Sequence, residues 1–86
     1  MRLFKPLNDI LGNRTRVEIL RTFFKYPGEF TGRHVARLSN LPQAAVQEQL
    51  QFLADNTVLN VKRFGRSKVF SLNNSNILYK ALKTLF

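Results

Sequence analysis

The chain has 86 residues and sets fourteen Lys and Arg against five Asp and Glu, a net charge of +9 at pH 7. It holds no cysteine and one histidine, which excludes disulfides and thiolate metal sites and leaves a structural zinc site without ligands. With 44% hydrophobic residues and eight Phe there is material for one small core, and no apolar run approaches a membrane span. The start, Met1 to Pro6, is too short and too interrupted for a secretory signal, so a cytoplasmic chain forming a single domain over 1–86 is expected. A domain this basic favours a polyanionic partner, most often nucleic acid, over a membrane, a metal or a cofactor.

In chain order, Leu3, Phe4, Leu7, Ile10 and Leu11 are spaced like one face of a short helix entered after Pro6. Gly12-Asn13 breaks it, and Asn13 is a good N-cap for a second helix with an apolar stripe of Val17, Ile19, Leu20, Phe23 and Phe24. Pro27-Gly28 ends that helix, and Glu29-Phe30 reads as a short extended link. Thr31 then caps a helix over Gly32 to Leu38, with Val35, Ala36 and Leu38 inward. Ser39-Asn40-Leu41-Pro42 makes a tight turn, with Pro42 suited to a helix start. The next helix runs to about Asp55 on Val46, Leu50 and Leu53, and Asn56 is expected in the left-handed conformation that closes it. Residues 31–55 are thus helix, short turn, helix. Two β-rich runs over 58–72 flank Gly65-Arg66 and predict a hairpin with a type II′ turn, Phe64 being expected as a hinge packing onto the core rather than as a base wedge. After Asn73-Asn74-Ser75, the residues Ile77, Leu78, Ala81, Leu82 and Leu85 predict a last amphipathic helix over about 75–86.

Three stretches carry a resemblance. They are Leu11-Gly12-Asn13-Arg14-Thr15-Arg16-Val17-Glu18-Ile19-Leu20, then Thr31-Gly32-Arg33-His34-Val35-Ala36-Arg37-Leu38, and Gly65-Arg66-Ser67-Lys68-Val69-Phe70-Ser71-Leu72-Asn73. In this order they resemble the winged helix-turn-helix of ArsR-like regulators, over about residues 10–86. The chain also looks like the small winged-helix domains that precede some nucleotidyltransferase-type domains. The resemblance implies a mainly α fold with a β-hairpin (α+β): a three-helix core, a two-stranded wing, and flanking N- and C-terminal helices. It implies double-stranded DNA as partner and a role in transcription regulation. It also implies a homodimer through the terminal helices, for which Leu3, Phe4, Leu7, Leu82, Leu85 and Phe86 supply apolar surface. Such a protein would be cytoplasmic and nucleoid-associated.

The chain departs from the pattern it resembles in two respects: Asn56-Thr57 stands where many relatives have a glycine after the third helix, and the expected recognition helix lacks basic residues. No Lys or Arg falls between residues 38 and 61, the stretch that includes the expected recognition helix. Gln43, Gln47 and Gln51 recur every four residues there, on the face opposite Val46, Leu50 and Leu53. A glutamine amide can pair bidentately with adenine, so these three, with the small Ala44, are the expected base contacts. Lys62, Arg63, Arg66, Ser67 and Lys68 surround the wing tip and are expected on phosphates or in the minor groove. Thr31, Gly32 and Arg33 open a helix whose N–H groups suit a phosphate oxygen, with Arg37 one turn on and Arg14 and Arg16 similarly placed on their own helix.

Catalysis finds no foothold. Asp9, Glu18, Glu29, Glu48 and Asp55 are scattered without an evident carboxylate pair, and neither a phosphate-cradling Gly-rich loop nor a nucleophile–base pattern occurs. His34 reads as a surface residue rather than a ligand. The expectation is therefore a non-enzymatic DNA-binding protein, either weakly specific or sequence-dependent. The alternatives are a winged helix that docks a protein through its basic-poor helix, or the DNA-binding portion of a larger nucleotidyltransferase-like protein.

Overall fold

The computed structural model describes residues 12–76 and 78–86. Among them run α1 (Arg14–Lys25), β1 (Phe30–Thr31), α2 (Gly32–Ser39), α3 (Gln43–Asp55), β2 (Leu59–Phe64), β3 (Ser67–Leu72) and α4 (Tyr79–Leu85). The expected helix over residues 1–11, and Ile77, lie outside the described residues.

Local chemistry starts and stops these elements. The Asn13 side chain accepts from the Arg16 N–H at 3.0 Å, and Thr31 accepts from the His34 N–H at 3.2 Å, so α1 and α2 are capped as expected. Helices α2 and α3 both end in the paired bonds of a Schellman motif, and neither uses glycine. In α2, the Leu41 N–H donates to the Ala36 carbonyl at 3.1 Å, and Asn40 takes the left-handed φ of 58°. In α3, the N–H groups of Val58 and Thr57 donate to Leu53 (2.9 Å) and Ala54 (3.0 Å). The left-handed residue there is Thr57, with φ 59°, while Asn56 stays at φ −97°. The expectation for Asn56 was thus one residue early. The motif joins Val58 to Leu53, both buried, and that contact sets the register of the turn. Thr57 is held by the side chains of Asn73 and Asn76, which donate to its carbonyl at 2.8 and 2.9 Å.

The core draws on every segment. Ile19, Leu20 and Phe23 of α1 meet Val35 and Ala36 of α2, and Val46, Leu50 and Leu53 of α3 close over them. Phe70 of β3 and Leu82 of α4 complete it, and burying each large side chain contributes roughly 1.5–3 kcal/mol. Thr22 is also buried on α1, where its hydroxyl donates to the Glu18 carbonyl at 2.9 Å. Leu38 is only half-buried. The last helix starts at Tyr79, later than expected, because Asn73 and Asn76 use their side chains on backbone N–H groups of the preceding turn.

The expected two-stranded wing is part of a three-stranded antiparallel sheet, ordered β1-β3-β2. The link at Phe30-Thr31 pairs with β3, Phe30 opposite Phe70 and Thr31 opposite Val69. Phe64 pairs with Ser67 across a two-residue turn, and Gly65 alone in the turn has positive φ (60°), as a type II′ turn requires. Phe64 does not pack onto the core: it is 59% exposed.

A β-branched residue at positive φ is strained, and Asn tolerates that conformation far better. Thr57→Asn should therefore stabilise the protein by about 0.5–1 kcal/mol. The expected readout is a higher urea midpoint at unchanged slope.

Candidate nucleic-acid interface

Three elements converge on one cleft of about 530 Å³. The N-cap and first turn of α2 contribute Thr31, Gly32 and Arg33, and the first turns of α3 contribute Gln43 and Gln47. From the wing come Arg66, Ser67 and Lys68, with the buried Phe70 at the base. Its charged lining residues are Arg33, Arg66 and Lys68, all exposed, and no ion pair among the described residues neutralises them. The N–H groups of the first turn of α2 add a partial positive charge to the same wall. The arrangement suits a polyanion that also offers flat hydrogen-bonding edges to the two amides.

Gly32 lies directly beside the Gln47 side chain. A Cβ there would collide with the side-chain amide of Gln47, so the bare Cα is what lets Gln47 lie against the start of α2. Both residues are expected at the site from sequence, but a separation of 15 positions gives no sign of contact between them. The glycine itself was the available signal, because a helix start ordinarily tolerates a side chain.

Other expected site residues are placed differently. Gln51 shares the exposed face of α3, but its amide donates to Asp55 at 2.8 Å and it does not line the cleft. Ala44 is exposed beside Gln43, and Arg37 is exposed one turn beyond Arg33. Arg14 is exposed at the start of α1, away from the cleft lining. Arg16 is turned inward: its Nε donates to the Gln49 side-chain oxygen at 2.6 Å, and its guanidinium lies 3.5 Å from the Phe52 ring centroid. That contact fastens α1 to α3 and explains why Gln49, unlike the other glutamines of α3, is buried.

The wing cations divide between two faces of the sheet. Arg63 pairs with Lys68 in register, and alternation puts both on the face of Leu59 and Phe70. Lys62 falls on the opposite face, and its Nζ sits 3.2 Å from a Glu29 carboxylate oxygen. An acid 33 positions earlier in the chain thus offsets one of four cations that looked unopposed.

Compared by sequence, the chain matches no protein-family model and no curated protein. Solved structures do match. A predicted DNA-binding transcriptional regulator from E. coli superposes with a TM-score of 0.77 at 17% identity, over 94% of this chain and 83% of that one. The antimony-specific transcriptional repressor AntR gives a TM-score of 0.77 at 25% identity, over 93% and 70%. The homodimeric winged helix-turn-helix DNA-binding domain of Mb0332 from Mycobacterium bovis, a possible ArsR-family regulator, gives 0.70 at 18% identity, over 94% and 71%. The chain has the winged helix-turn-helix fold, and its structural neighbours are mostly transcriptional regulators, an ArsR-family candidate among them, with a distant, partial match to a methyltransferase beside them. No helix among the described residues is long and apolar enough to cross a membrane.

Removing the Arg16 side chain leaves the buried Gln49 oxygen without this donor and strips the face of Phe52. Arg16→Ala should cost about 2–3 kcal/mol. A double-mutant cycle with Gln49→Ala should return a coupling of about 1–2 kcal/mol in chemical denaturation.

Proposed function

We propose that this chain is a small, non-enzymatic transcriptional regulator that binds double-stranded DNA. The carrying observation is the cleft: three cations in no ion pair among the described residues, a helix N-terminus and two outward amides share one site. The first turns of α3 enter the major groove, bringing Gln43 and Gln47 to base edges with Ala44 beside them. Arg33, Arg66, Ser67 and Lys68 hold phosphates on either side, with Arg63, Arg37 and Arg14 extending the basic track. Lys62 contributes less, because Glu29 already offsets it. Gln51 sits further along α3 and must give up its bond to Asp55 before it can reach a base.

The two tasks fall to different chemistry. Cations on α2 and the wing supply affinity without sequence information, and neutral amides on α3 supply discrimination that leans towards adenine. The described residues of the terminal helix support a homodimer in part. Leu85 is 58% exposed and free for an interface, whereas Leu82 lies in the chain's own core and Phe86 stacks on Phe24 at 5.6 Å. Leu3, Phe4 and Leu7 would supply the remainder. A two-fold dimer presents two α3 helices to a palindromic site in the cytoplasm, on the nucleoid.

If about six phosphates are neutralised per protomer, the log–log slope of binding constant against salt should be about −5 per protomer. A binding constant that scarcely moves with salt would overturn DNA binding and turn attention to a protein partner for the basic-poor α3. Arg66→Ala should make that slope shallower by about one, and Lys62→Ala by less. Replacing Gln43 and Gln47 with Ala should leave the slope unchanged while the preferred duplex loses about 1–3 kcal/mol of its advantage per lost bidentate contact. Selection from a random duplex library supplies the sequence for that comparison.

A further inference from the structure

The large apolar side chains left in water among the described residues are Tyr26, Val61, Phe64 and Leu85. Phe64 is the most exposed of them, at 59%, and it alone stands at the cation-bearing tip of the wing. Arg63 precedes it and Arg66 lies just past the turn, both exposed and in no ion pair among the described residues. Strand alternation puts Phe64 on the face of Lys62 and Ser67, opposite Arg63; Ser67, its cross-strand partner, lines the cleft and is too small to cover a phenyl ring. Among the described residues nothing lies within 4 Å of where a Cβ on Gly65 would sit. A two-residue turn keeps the tip narrow, and the side chains at its corners project furthest.

We propose that Phe64 is a wedge that enters a base step of the duplex held in the cleft, unstacking that step and bending the DNA. The inference rests on the DNA-binding reading and extends it to how a site is chosen. An apolar ring flanked by arginines matches a groove whose rim is anionic and whose interior is apolar between stacked bases. The cations draw the tip onto the phosphates, and burial of the ring opposes the cost of unstacking. Pyrimidine–purine steps open most easily, so the wedge favours sites with a TA or CA/TG step under the wing. Such indirect reading complements an α3 helix that carries no Lys or Arg.

The test uses the full chain and duplexes from the library selection, with 2-aminopurine placed at each position in turn and donor and acceptor dyes at the ends. Wild-type protein should raise 2-aminopurine fluorescence several-fold at one step and shorten the end-to-end distance. Phe64→Ala should lose both signals yet keep the salt slope, and Phe64→Leu should keep part of each. Replacing the TA or CA step by a stiff A-tract should weaken wild-type binding about ten-fold and leave Phe64→Ala almost unaffected. Because the ring is exposed, both variants should unfold at the wild-type temperature. Salt-dependent binding without brightening at any position overturns the wedge and leaves DNA binding standing. Brightening that survives in Phe64→Ala also overturns it. Absence of salt-dependent binding overturns both readings together.

Discussion

The site depends on how α3 is rotated about its own axis. Val46, Leu50 and Leu53 are all fully buried, and no other rotation hides the three at once. That burial turns Gln43 and Gln47 outward towards the cleft. Arg16 adds a second constraint from α1, because its bonds to Gln49 and Phe52 hold the same helix at a point off the apolar stripe. A helix fixed by an apolar stripe alone can roll slightly within its groove. One fixed also by a directional hydrogen bond and a stacked guanidinium is restrained against that roll, so the outward side chains of α3 keep a fixed aim.

A second feature is the close approach of the Gln47 amide to the start of α2. The bare Gly32 leaves it room there, beside the cations that line the same cleft. The Schellman turns at Asn40 and Thr57 set where each helix stops and therefore where the next element begins. Thr57 accepts an unfavourable backbone conformation there, compensated by the contact of Val58 with Leu53 and by the two asparagine donors from beyond β3.

Charge is distributed to match. Cations occupy the start of α2 and the cleft side of the wing, while α3 presents amides. On the far side of the sheet Lys62 is tied to Glu29, which lowers the net field there. The surplus of positive charge thus has a direction, and a total of +9 does not convey it.

Much of the fold was legible in the sequence because local rules wrote it. Asn13 and Thr31 marked helix starts through the hydrogen bonds their side chains can make, and Gly65 marked the hairpin turn through its positive φ. The apolar spacing of α1 and α3 named the core. For the cleft, the residue types and their elements were readable at Thr31, Gly32, Arg33, Gln43, Gln47, Arg66, Ser67 and Lys68. What required the tertiary structure was every relation between distant positions. The pairing of Phe30 with Phe70, of Lys62 with Glu29, and of Arg16 with Gln49 joins residues 33 or more apart, and no period or cap signals such pairs. Phe64 shows the same limit from the other side. Its composition says core, but register puts it at a wing corner that no other described residue covers well, and it is left 59% exposed. A sequence dictates which groups a chain can offer; only packing decides which of them are already occupied and which remain turned towards a partner.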